Sequence, residues 1–205
     1  MLRHVALCAF VVLFASTVDG ETLSVAPDSP RWDLQGQAKP ADYLGRKSLM
    51  LDGGAATLKD FEMRDGVIDV DVATPATRGF FGIQFRIAGD GANAEWVYLR
   101  QHKSGLPDAL QYTPVLNTGL NWQLYNGTGF TGAVDIPKDV WFHLRLEVVG
   151  AQAKLYVGDM AASGHRTRNT GCRSRLAIVR WCRNTCSERG RRLFTSVPAV
   201  VPCRW

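Results

Sequence analysis

The chain has 205 residues, 46% hydrophobic and 21% charged, a globular composition that suits one domain with its own core. Its net charge of +5 hides an uneven distribution. Residues 21–160 hold 13 Lys and Arg against 17 Asp and Glu, whereas residues 161–205 hold ten Arg and one acid, Glu188. The body is therefore acidic, which argues against a nucleic-acid surface on it.

The first element is a leader. MLRHVALCAFVVLFASTVDG places Arg3 and His4 before an apolar run from Val5 to Ala15. Val18 and Gly20 suit the −3 and −1 positions of a cleavage site before Glu21. Residues 1–20 are expected to be a secretory signal peptide, so the product is expected to be secreted or periplasmic. The apolar run is too short to span about 30 Å of hydrocarbon, and no later segment could do so.

The body from residue 21 to 159 reads as strands. In DGVIDVDVATP (65–75), Ile68, Val70 and Val72 face one side, and Val67, Asp69 and Asp71 the other. In RGFFGIQFRIAG (78–89), Phe81, Ile83, Phe85 and Ile87 alternate with Gly82, Gln84 and Arg86. EWVYLRQH (95–102) puts Val97 and Leu99 in, with Trp96, Tyr98, Arg100 and His102 out. VWFHLRLEVV (140–149) puts Phe142, Leu144, Leu146 and Val148 in, with Trp141, His143, Arg145 and Glu147 out. Period-two alternation of this length marks strands with one buried face. TPATRG, AGDGAN, NGTG and VGAQA supply the turns. Many short strands and no amphipathic helix predict an all-β, two-sheet antiparallel sandwich or jelly roll.

From Ala161 the text changes. Residues 160–205 contain arginine without lysine and four of the five cysteines (Cys172, Cys182, Cys186 and Cys203), and show no alternation. The segment reads as a frameshifted or unrelated end. A basic arm, a metal site and two disulfides are the alternatives, and Cys182-x-x-x-Cys186 lacks the paired spacing of zinc modules. On the frameshift reading the sheet lacks its last strand.

Two stretches carry a family likeness. VWFHLRLEVVGAQAKLYVGD resembles the penultimate hairpin of concanavalin A-like (laminin G-like) jelly rolls. LKDFEMRDGVIDVDV followed by GFFGIQFRI is similar to 3-keto-disaccharide hydrolase-type domains, which share that fold. The likeness covers residues 31 to 159 and implies a carbohydrate ligand. It also implies two other readings: a glycoside hydrolase or lyase acting on a 3-keto sugar, and a laminin G-like protein-interaction module.

The polar side chains point the same way. If 80–87 and 95–102 pair, then Gln84, Arg86, Tyr98, Arg100 and His102 share a face. If 67–72 and 140–149 join that sheet, Asp69, Asp71, His143, Arg145 and Glu147 extend it. Asp108, Gln111, Tyr112, Asn117, Trp122, Gln123 and Tyr125 could then wall a cleft. Planar donors and acceptors bond hydroxyl pairs, and aromatic rings stack on the C–H faces of sugars. The plainer alternative is a polar sheet face laced with ion pairs such as Asp69 to Arg145. For catalysis, Asp69 and Asp71 would lie about 6–7 Å apart along one strand, against about 5–5.5 Å for retaining and 6.5–9.5 Å for inverting glycosidases. Glucanases of the resembled superfamily use Glu at such positions, and IDVDV offers only Asp. A lyase-like route on a 3-keto sugar would need a base near an acidified C–H, which His102 or His143 could supply, and His102 and Asp69 are the catalytic candidates. The body shows no metal cluster, no phosphate-cradling loop and no nucleophilic Ser motif, so no cofactor is expected. AGDGAN (88–93) reads as a hairpin turn in preference to a calcium loop. Asn126-Gly127-Thr128 is both a glycosylation sequon and an Asn-Gly turn.

Overall fold

The computed structural model describes residues 22–89, 91–158, 175–180 and 196–200. The leader 1–20, Asp90 and most of the tail lie outside the described residues. Among the described residues there are fourteen strands: β1 (Trp32–Gln35), β2 (Lys39–Tyr43), β3 (Arg46–Met50), β4 (Ala55–Leu58), β5 (Gly66–Ala73), β6 (Phe81–Phe85), β7 (Ala94–Leu99), β8 (Leu110–Leu116), β9 (Gly119–Leu120), β10 (Thr131–Gly132), β11 (Trp141–Val149), β12 (Gln152–Gly158), β13 (Arg175–Arg180) and β14 (Ser196–Val200). One 3-10 turn, Gln101–Lys103, follows β7. Among the described residues no helix is long and apolar enough to cross a membrane.

The fold is the all-β sandwich that the alternation predicts. A five-stranded sheet runs β10-β8-β7-β6, with β9 paired to β8. A seven-stranded sheet runs β13-β12-β11-β5-β14-β3-β2, and β1 pairs with β4 in a separate ribbon. The inner faces hold Phe81, Phe85, Val97, Leu99 and Leu110 on one sheet and Val72, Phe142, Leu144, Leu146, Val148 and Leu155 on the other. Phe81 and Phe142 meet across the gap at 6.2 Å between ring centres. Each such side chain stabilises the fold by roughly 1.5–3 kcal/mol of burial.

Two findings bear on the sequence expectations. First, β5 and β11 do not join the sheet of β6 and β7. They pair with each other, Asp69 opposite Arg145 and Asp71 opposite His143, in the seven-stranded sheet. With the inner faces packed together, the outward residues of the two sheets point to opposite sides of the sandwich, about 10 Å of core apart. Second, the sheet does continue beyond residue 160. β13 runs antiparallel to β12, and β14 lies parallel between β5 and β3. Leu176–Val179 is a continuous apolar run without alternation, which periodicity alone does not distinguish from a buried helix segment. Pro198 stands opposite Asp71 in β14 and has no N–H to give the ladder.

Candidate functional site

The outer face of the five-stranded sheet is built by β6, β7 and β8. Gly82 faces Tyr98, which faces Gln111; Gln84 faces Trp96, which faces Thr113. Gly82 is where the sheet needs a missing side chain. A Cβ there would lie 2.1 Å from the Val97 carbonyl oxygen and 2.8 Å from Trp96 Nε1. Its absence lets the indole of Trp96 lie against the strand.

A loop folds over this face. Asn117 and Thr118 both take positive φ, 51° and 64°, and join β8 to β9 in the tight turn that suits a two-residue hairpin. Asn121 Nδ2 then donates to the Pro114 carbonyl at 3.2 Å, tying the loop to β8. Trp122 follows directly and closes a ring cluster. Its centroid lies 5.0 Å from Trp96, 5.2 Å from Tyr98 and 5.2 Å from Phe80. Trp96 and Tyr98 are 4.9 Å apart. These separations are those of edge-to-face and tilted aromatic pairs. Trp122 remains 41% exposed, while Tyr98 beneath it is fully buried.

Polar groups edge the cluster. The Tyr98 hydroxyl hydrogen-bonds the amide oxygen of Gln111 and the backbone of Gln123. Burial pushes the Tyr98 phenol up, and Arg100 partly offsets this. Arg100 pairs with Asp108, and its guanidinium lies 5.9 Å from the centre of the Phe80 ring. His102 packs edge-on against the same ring at 5.4 Å, and its Nδ1 lies 3.2 Å from the Gly79 carbonyl oxygen. The sequence-predicted residues Tyr98, Arg100, His102, Asp108, Gln111, Trp122 and Gln123 therefore meet in one place, with Gln84 exposed on the same face.

Others do not. Arg86 follows the end of β6 with φ of 51°, which breaks the alternation. Its guanidinium turns to Asp65 Oδ1 at 3.0 Å and to the Gly150 carbonyl at 2.6 Å, away from the face. Tyr112 belongs to the core, since it lies in the row of Ile83 and Val97. Tyr125 stacks on Phe130 at 4.9 Å and on Tyr112 at 6.0 Å, at the β10 side of the sheet. Phe80 was missed. It precedes Phe81 out of phase with the strand, and the doubled aromatic in GFFG was its only signal.

The second polar cluster lies on the opposite side of the sandwich. His143 Nε2 is 2.7 Å from Asp69 Oδ1, and Nδ1 is 2.8 Å from Asp71 Oδ1. Arg145 holds Asp69 with two bonds, Nε to Oδ1 at 2.7 Å and an Nη to Oδ2 at 3.0 Å. This is the ion pair that the polar-face alternative anticipates. Arg46 of β3 reaches past β14 to Asp71 Oδ2 at 3.3 Å. Hydrogen bonds to Asp69 and Asp71 raise the His143 imidazole to about 9, outweighing its burial. Burial alone would raise the Asp69 carboxyl, but His143 and Arg145 hold it below the ordinary range.

That geometry bears on the catalytic candidates. Asp69 and His102 stand on opposite faces and cannot act on one bond. His143 is an imidazolium at neutral pH with both N–H groups engaged, so it offers no lone pair to a substrate proton. Asp69 and Asp71 both hold His143, and each is also paired with an arginine, Arg145 and Arg46, so they do not form a free carboxylate pair. Among the described residues no group of His, Cys, Asp and Glu could hold a metal ion.

No family model and no curated protein matches the chain. Among solved structures it is similar to a carbohydrate binding module, CBM66, of Bacillus subtilis, at 17% identity and a TM-score of 0.48, over 68% of this chain and 79% of that one.

Proposed function

We propose that the chain is an exported carbohydrate-binding sandwich domain, and that sugar rings stack on Trp122 at the outer face of the five-stranded sheet. The observation that carries this is a large, exposed indole held rigid by three other rings and edged by planar polar groups. Sugar recognition needs this combination: an apolar ring face for the C–H side of a pyranose, and bidentate donors and acceptors for its hydroxyls. Gln84 and the Arg100–Asp108 pair supply such groups beside the ring. Tyr98, Trp96 and Phe80 act from below by fixing the indole, which limits the ordering that binding must impose. The opposite-face network of His143 has its hydrogen bonds satisfied internally, and it serves the fold.

The test is affinity electrophoresis of the full chain through gels containing neutral polysaccharides, with Trp122→Ala and Asp69→Asn run beside it. Retardation lost in the first variant and kept in the second supports the assignment. Retardation insensitive to Trp122, or absent in every gel with folded protein, overturns it.

A further inference from the structure

Exposed hydrophobic side chains are not spread evenly over the molecule. Among the described residues nine large hydrophobics are exposed, and four of them, Leu120, Trp122, Leu124 and Tyr125, fall within six consecutive positions. Apolar residues scattered singly over a surface need no explanation, whereas a contiguous group marks a surface that something else covers. Leu120 is 44% exposed and Leu124 55%, more than the Trp122 indole between them.

The group stands above the sheet and is held there. The hydroxyl of Thr113 in β8 donates to the Asn121 carbonyl, so the loop forms an outer layer over β8. Leu124 N–H donates to the same carbonyl at 3.1 Å, which closes a tight turn with Trp122 and Gln123 at its corners. Gln123 takes a positive φ of 57° at the second corner. Trp122 rests on three rings, and Tyr125 on Phe130 and Tyr112. A raised and braced ridge meets a flat partner before the sheet beneath it does.

The ridge is also without charge. Between Asp108 and Asp135 no side chain is charged, in a chain that is 21% charged. Its exposed polar residues are amides and hydroxyls, among them Gln123, Asn126 and Thr128. An ionic polymer, or the charged rim of a protein partner, finds no counter-charge here. Packed chains of a neutral polysaccharide have the matching chemistry: flat C–H faces for apolar side chains, and ring hydroxyls for amides. We infer that this ridge is an adsorption surface for a packed, insoluble neutral polysaccharide, with Trp122 at its centre and Leu120, Leu124 and Tyr125 widening it. The inference rests on the carbohydrate assignment above and extends it from one stacked ring to a surface.

The experiment measures depletion of the full chain from suspensions of insoluble neutral polysaccharides (cellulose, chitin, mannan and β-1,3-glucan). Soluble oligosaccharides of the same sugars are titrated calorimetrically in parallel. The double variant Leu120→Ser, Leu124→Ser is expected to lower the partition onto the solid about fivefold or more, because apolar area is lost from the contact. Its affinity for the soluble oligosaccharide is expected to stay within about twofold, whereas Trp122→Ala loses both. Adsorption of the wild type is expected to be undiminished at about 1 M sodium chloride, where surface charge interactions are screened. Trp122-dependent binding of a soluble oligosaccharide with no adsorption to the solid overturns this inference alone. So does adsorption that is equal in the double variant, or that falls at high salt. Self-association in light scattering that the double variant abolishes, with adsorption unchanged, assigns the ridge to a protein contact and also overturns it alone. Neither adsorption nor soluble binding, by protein folded by circular dichroism, overturns both this inference and the carbohydrate assignment.

Discussion

His143 Nε2 lies 2.7 Å from Asp69 Oδ1, and this contact anchors a charge chain on the face opposite the aromatic cluster. The two residues are 6% and 7% exposed, so removing the Asp69 charge leaves the His143 cation with Asp71 alone in a poorly hydrated place. Asp69→Asn keeps the shape and leaves His143 and Arg145 short of a counter-charge. Loss of about 2–4 kcal/mol of stability is expected, read by chemical denaturation at pH 7.

The same chain makes stability depend on pH in a stated direction. His143 is raised in the fold from 6.5 to about 9, so its contribution is complete below about pH 6.5 and is lost as pH rises through 9. At full strength it is on the order of 2–3 kcal/mol. Asp69 is held below 3.8, so its contribution is present above that value and is lost as pH falls through the lowered one. The network is thus strongest between about pH 4 and 6.5. Thermal midpoints of wild type and His143→Gln are expected to differ most near pH 6 and to converge by pH 10.

On the aromatic face, Tyr98→Phe separates support from contact. Tyr98 is 1% exposed, so no ligand reaches its ring. The substitution leaves Gln111 Oε1 without the Tyr98 hydroxyl. A cost of about 1–3 kcal/mol in stability is expected. Sugar affinity is expected to stay within about twofold if the ring alone holds Trp122 in place. Denaturation and titration on the same preparation check both.

Gly82→Ala addresses the backbone beneath the cluster. Its Cβ would lie 2.1 Å from Val97 O and 2.7 Å from Tyr98 Cα, and neither atom can move without parting β6 from β7. Destabilisation of roughly 2 kcal/mol or more is expected. The near-ultraviolet dichroism of the stacked indoles is expected to weaken with it.

The sandwich was legible because alternation is set by burial, and burial is local to each strand. Val70, Val72, Leu144 and Leu146 announced their side of β5 and β11 without any partner being known. Sheet membership was not legible, because alternation says which way a side chain points and nothing about which strand lies beside it. That is why His143 and Arg145 were grouped with Tyr98 and Arg100 when a whole core separates them. Arg86 and Tyr112 were misplaced for smaller reasons. One left-handed residue ended β6 early, and Tyr112 is polar only at its tip, which reaches Glu95. β13 was hidden because Leu176–Val179 is an unbroken apolar run without alternation, and β14 because Pro198 stands in the middle of it. Trp122 stood out as an aromatic residue in a loop, but the three rings that hold it come from two other segments.

The measurement that bears most directly on the account is a 1H–15N titration of the full chain with the neutral oligosaccharide that binds best, following tryptophan indole signals. Trp122 and Trp96 lie on one face, and Trp141, beside Arg46 and Tyr43, marks the other. The expected result is a saturable shift of the Trp122 and Trp96 signals while Trp141 stays still. A shift confined to Trp141, or no indole shift at saturating sugar, would contradict the assignment of the aromatic face as the binding site.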